Sequence, residues 1–160
     1  QGGVYYSAHW GQRIYHLAKN GRQQVWGGPG SGPGEFDHPT ALASTPDGAT
    51  VYVVDEGNAR IQYLSGDHVA GQRGGANPDA SGLGDPVAVA VAADGSIAVL
   101  DAQRHRIVRY RGPSADGFTS IALPDVPLGI TAGAGTLDVS VDGRWSGITS
   151  QHTVPLRPAP

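Results

Sequence analysis

The sequence predicts an all-β fold, a tandem array of four-stranded antiparallel sheets with one sheet for about every 45 residues. Three observations carry this. Apolar runs start at Val4, Val51, Ile97 and Leu137, at steps of 47, 46 and 40 residues. Arg13-Ile14, Arg60-Ile61 and Arg106-Ile107 repeat at steps of 47 and 46. A proline precedes an apolar strand at Pro39, Pro86 and Pro127. A period of roughly 40–50 residues is that of the blades of a β-propeller.

Composition agrees. The hydrophobic fraction of 39% is low, while 25 glycines and 12 prolines are spread through turns rather than gathered in one block. That bias fits short strands joined by tight turns. A net charge of −3 is too near neutral to steer the chain to nucleic acid or to an anionic membrane surface. The absence of cysteine excludes disulfides and thiolate metal sites. No apolar stretch approaches the roughly 18 residues needed for a membrane span. With no methionine, even at position 1, the expectation is a processed or excerpted chain.

Each element follows from its residues. A short inner strand comes after the proline: TALAS at 40–44, VAVAVA at 87–92, LGITA at 128–132. Asp47-Gly48 and Asp94-Gly95 then supply the positive φ that a hairpin turn requires. The second strand, ending at Asp55 or Asp101, is β-branched and apolar, and the third starts at Arg-Ile. Gly-rich stretches at 27–36 and 71–84 read as flexible connections to the next unit. The first unit starts at a second strand, so about three and three-quarter blades are expected. The units are 1–35 (a partial blade without its inner strand), 36–84, 85–124, and 125–160 (a divergent blade with a Pro-rich C-terminal arm). The missing strand is expected from HTVPLRP at 152–158, from further chain, or from a neighbouring subunit.

Why an acid closes one strand and an arginine opens the next is a question of the turn between them. In YVVDEGNARIQYL (52–64) and IAVLDAQRHRIVRY (97–110), Asp55 faces Arg60 and Asp101 faces Arg106 across that turn. A carboxylate there can accept turn N–H groups that no ladder satisfies, and the arginine five residues on can return to it. Asp55, Arg60, Asp101 and Arg106 therefore read as structural fasteners that fix register, with no residue marked as catalytic.

The proline, Asp-Gly, strand-ending Asp, Asn and Arg-Ile together resemble the NHL repeat, the blade motif of one large class of β-propellers. Pro39–Leu64 fits best, with Asp47, Gly48, Asp55, Asn58, Arg60 and Ile61 in place. Pro86–Tyr110 fits except that Arg104 stands for the Asn. In the first unit Ala8 replaces the Asp and Gly11 the Asn. The last unit keeps the strand pattern, with Arg144-Trp145 at the Arg-Ile position. The resemblance implies NHL-type blades, and such propellers usually have six.

Within that class, lyases that cleave amidated-peptide precursors hold zinc in the central channel. His9, His16, His38, His68, His105 and His152 fall at different repeat positions, so no metal site and no cofactor is expected. Some members bind RNA, but the only basic cluster, RHRIVRYR at 104–111, lacks a stacking platform beyond Tyr110, so nucleic acid is not the expected partner. Trp10 lies in the turn between second and third strands, where an aromatic is a candidate contact residue; Trp145 is expected in the core and Trp26 between blades. The expected function is a non-enzymatic binding or assembly module. Its blade-end turns, carrying His9, Trp10, Glu56, Asn58, Arg104 and His105, would contact a protein, a glycan or other copies, with a homo-oligomer or filament possible. The alternative is an NHL-like lyase or hydrolase with a central-channel site partly outside this chain. Family habit places it outside the cell or in the envelope.

Overall fold

The computed structural model describes residues 3–66, 68–75, 82–112, 117–124, 126–132, 136–142 and 149–155. Among these, fourteen strands form four antiparallel sheets. The first holds β1 (Gly3–Ala8), β2 (Arg13–Ala18) and β3 (Gln23–Trp26). The second holds β4 (Pro39–Ser44), β5 (Thr50–Asp55), β6 (Arg60–Ser65) and β7 (His68–Gly74). The third holds β8 (Pro86–Val91), β9 (Ile97–Asp101), β10 (Arg106–Tyr110) and β11 (Phe118–Ala122). The fourth holds β12 (Val126–Ala132), β13 (Thr136–Asp142) and β14 (Thr149–Pro155). Each sheet is a meander in chain order, the arrangement of β-propeller blades.

The blades stack through their inner strands. β4 lies against β8 and β8 against β12, while β5 reaches β8 and β9 reaches β12. β1 stands to β4 as β5 stands to β8, so the first sheet begins at the second-strand position. Strand alternation sends one set of side chains forward to the next blade and the other set back to the previous one. Ile14 and Phe36 meet Val51, Val53 and Leu64 between the first two blades. Tyr52, Val54 and Ile61 meet Val89, Ile97, Val99 and Tyr110 between the second and third. Leu100 and Ile107 meet Val139 between the third and fourth. Trp26 packs at the rim of the first of these clusters.

The turns follow the chemistry of their residues. Gly48 and Gly95 sit at φ 69° and 79°. The Asp before each glycine accepts from the chain just beyond the turn: Asp47 Oδ1 from the Ala49 N–H at 3.0 Å, Asp94 Oδ1 from the Ser96 N–H at 3.0 Å. A Thr45 hydroxyl on Asp47 and a Ser96 hydroxyl on Asp94 hold both carboxyls below the usual carboxylate range. Gln12, Ala59 and His105, each immediately before the repeated arginine, take φ of 52°, 52° and 45°. This left-handed residue is a register mark of the backbone that side-chain identity hides.

Three expectations need correction. The fourth strand of the second blade runs to Gly74, absorbing the start of the 71–84 stretch that reads as a connection. The 27–36 stretch is no flexible connection: the Gly30 N–H donates to the Phe36 carbonyl and the Phe36 N–H to the Gly28 carbonyl, and side chains of the second blade hold it. β14 pairs with β13 inside its own sheet, so residues 152–155 do not complete the first blade. Arg144, Trp145 and the end of the Pro-rich arm lie outside the described residues.

Candidate functional site

Pairing fixes which loops share an end of the molecule. Pro39 lies opposite Asp55, Pro86 opposite Asp101 and Val126 opposite Asp142. The starts of the inner strands therefore gather with the second-to-third-strand turns at 9–12, 56–59 and 102–105.

At the second blade Asp55 is fully buried and bonded throughout. Its Oδ1 accepts the Asp37 N–H at 2.7 Å, and Asn58 Nδ2 bridges both oxygens at 3.1 and 3.0 Å. Its Oδ2 takes Arg60 Nε at 2.6 Å and Gln62 Nε2 at 3.2 Å. Arg60 spends its remaining donors beyond the hairpin. Nη1 reaches the Ser31 carbonyl at 2.7 Å and Gln72 Oε1 at 2.9 Å; Nη2 reaches the Gly32 and Glu35 carbonyls, both at 2.9 Å. All five guanidinium N–H groups are thereby engaged. The pair clamps the connection from the first blade as well as the hairpin.

The third blade repeats the device. Asp101 pairs with Arg106 Nε at 3.1 Å and accepts from the N–H groups of Gly84, Asp85 and Arg104. Arg106 Nη2 and Arg104 Nη1 both donate to the Gly82 carbonyl. Asn58 makes the matching bond to the Gly30 carbonyl at 2.9 Å. Arg104 thus takes the Asn role of holding the preceding connection. Among the residues expected to present contact surface, Asn58 and Arg104 are occupied in this network, and Glu56 and His105 are half-buried. In the basic cluster, Arg106 is paired with Asp101 and Arg109 with Asp94.

The first blade differs. Ala8 leaves Arg13 without the acid, and its turn carries His9 and Trp10. Trp10 is 84% exposed, yet its indole meets the rings of His9 and His38 nearly at right angles, with centroids 4.8 and 5.5 Å away. His9 and His38 rings lie 4.8 Å apart. His38 adopts φ 52° just before Pro39, a costly conformation for a non-glycine residue. The Asp55 fastener holds it there. Asp37 gives its N–H to Asp55 and its carbonyl to the Gly57 N–H at 2.9 Å. Gly57 lacks the Cβ that would strike the Asp37 carboxylate. That carboxylate lies 2.7 Å from His38 Nδ1 and orients the ring.

Sequence reasoning reached His9 and Trp10 but missed Asp37 and His38. Asking whether histidines recur at one repeat position cannot find a pair drawn from two different loops of neighbouring blades. The signal available was His38 directly before the inner-strand proline, where the next unit has Asp85. Chemically, the cluster offers an exposed indole, two imidazoles and one carboxylate that sets a ring's orientation. Among the described residues no group of three or more His, Asp or Glu is placed to hold a metal ion.

No family model matches the chain, and no curated protein matches it. Solved structures do. Virginiamycin B lyase from Staphylococcus aureus, a catalytically inactive histidine-to-alanine variant with quinupristin, superposes at TM-score 0.68 and 17% identity, over 96% of this chain and 53% of that one. Kuenenia stuttgartiensis hydrazine synthase gives 0.75 and 17%, over 95% and 42%. A nidogen/laminin complex gives 0.66 and 15%, over 86% and 51%. At these identities the likeness is one of fold, the β-propeller, and the chain spans about half the length of the structures it matches.

Proposed function

We propose that this chain is a non-enzymatic binding module of NHL-type blades, whose contact surface is the blade-end cluster of Trp10, His9 and His38. The NHL type rests on the Pro, Asp-Gly, Asp and Arg-Ile pattern and on the use of Asp55 and Arg60 to bind one blade to the connection before it. One observation carries the binding role: an indole 84% exposed and still ordered by two neighbouring rings. Such a side chain loses little freedom on binding and removes a large apolar area from water. A protein partner fits this surface best, and the presence of a nidogen/laminin complex among the propeller neighbours agrees. The test is selection from a displayed peptide library on the wild-type chain. Selected peptides are expected to lose tenfold or more in affinity to Trp10→Ala, with the melting temperature unchanged. Binders indifferent to Trp10→Ala would remove this surface from consideration.

A second reading rests on Asp37 and His38. A carboxylate on Nδ1 leaves Nε2 as the nitrogen free to exchange a proton with a ligand, the arrangement of a general base. Several propeller neighbours are lyases. Turnover of quinupristin or 4-nitrophenyl acetate by the wild type and not by His38→Ala would favour acid–base chemistry. No turnover of either probe removes this reading.

A further inference from the structure

We propose that β11, the outer strand of the third blade, pairs edge to edge with β11 of a second copy of this chain, about a two-fold axis at Ser120. The strand belongs to a blade with a described sheet on either side, and the inference is independent of the Trp10 site.

The edge is open and unguarded. β11 ends its sheet, paired with β10 alone, and all five of its residues are exposed. Edge strands are commonly protected by a charge, a proline or a bulge that spoils pairing with another chain. β7, the equivalent strand of the second blade, has two of these devices, Arg73 and a register shift opposite Tyr63 and Leu64. β11 has none. Its sequence, FTSIA, holds no charge, no proline and no glycine, and its register against β10 runs unbroken from Phe118 to Ala122. Phe, Thr and Ile are also residues that favour strands.

The occupant follows from the register. The Leu123 N–H donates to the His105 carbonyl at 2.7 Å, so by alternation Ile121 and Thr119 bond inward to Ile107 and Arg109 of β10. Phe118, Ser120 and Ala122 therefore turn an N–H and a C=O each away from the sheet. Antiparallel pairing about Ser120 satisfies every one of these groups, because Ser120 then meets Ser120 and Phe118 meets Ala122 on either side. On one face Thr119 lies opposite Ile121, and on the other Phe118 lies opposite Ala122, pairs of the kind that stabilise a ladder. No charge is set against its own image, the term that would oppose self-pairing. Pro124 falls on the next outward position and has no N–H to give, which ends the ladder. The edge is thus its own complement in one register, and an isologous contact of this kind closes at a dimer.

Sedimentation equilibrium of the wild-type chain should show its mass rising from 16.4 kDa to twice that value with concentration. Ser120→Pro should weaken the dimer at least tenfold. Because the Ser120 N–H faces outward, proline there removes no bond within the blade, and the circular dichroism should stay that of the wild type. Ser120→Lys and Ser120→Glu should each be monomeric alone, since like charges meet at the axis, and should form a one-to-one heterodimer when mixed. Recovery in the mixture separates lost pairing from lost fold. A dimer indifferent to Ser120→Pro would place the contact on another face. A wild type that stays monomeric at every concentration would leave the edge to a strand of some other protein. Either result, or a Lys–Glu mixture that fails to associate, would overturn the proposal.

Discussion

Asp55 and Arg60 are buried together, so either alone would be an uncompensated charge. Breaking such a pair by removing one partner costs about 3–5 kcal/mol. Asp55→Ala is therefore expected to lower unfolding free energy by that order in urea titrations, and Asp101→Ala to do the same in the third blade. Unfolding free energies within about 0.5 kcal/mol of wild type, the spread of surface substitutions, would remove the fastener argument. Tyr110 supplies a pH test. Burial pushes its hydroxyl up to about 12, from an ordinary 10.0. The folded state therefore holds the proton more tightly than the unfolded chain, and the stability this gives is complete below pH 10. It is lost as pH rises from there towards about 12. Burial raises Tyr52 in the same direction. The melting temperature should fall over this window, and Tyr110→Phe should flatten the fall. The acid–arginine pairs were legible in the sequence because both members sit in one hairpin, at a spacing that recurs. The Asp37–His38 pair was not, because its meaning depends on His9 and Trp10 arriving from another blade.

At the scale of elements, the strands were readable and the connections were not. Alternation and Asp-Gly turns report on neighbours within a few residues, which is enough to place β4 to β6 and β8 to β10. Arg60 instead grips the carbonyls of Ser31, Gly32 and Glu35, and a carbonyl carries no mark of residue type. A Gly-rich stretch thus read as slack when it is held. Its geometry gives a prediction. Gly27 has φ 92°, and a Cβ there would lie 2.5 Å from the Phe36 ring, which is fully buried between blades. Gly21 has a similar φ of 81° with open space around it. Gly21→Ala should cost only the backbone term of roughly 1–2 kcal/mol. Gly27→Ala should add overpacking of about 1–3 kcal/mol to it. Equal losses in the two variants, measured by chemical denaturation, would mean that the Phe36 contact does not fix the connection.

Across the whole molecule, the repeat makes stability a matter of neighbours. Each blade buries one face forward and one back, so a blade's hold depends on both interfaces as well as its own ladder. The second and third sheets have both faces covered, as the clusters on either side of Val53 and Val99 show. The first sheet has only its forward face covered, with Val4, Tyr6 and Leu17 open. Local opening should therefore be cheapest there. Amides of β1 and β2 are expected to exchange at least tenfold faster than those of β5, β6, β9 and β10, although all six are hydrogen-bonded strands. Uniform exchange across the three sheets would mean that inter-blade burial does not set local stability here.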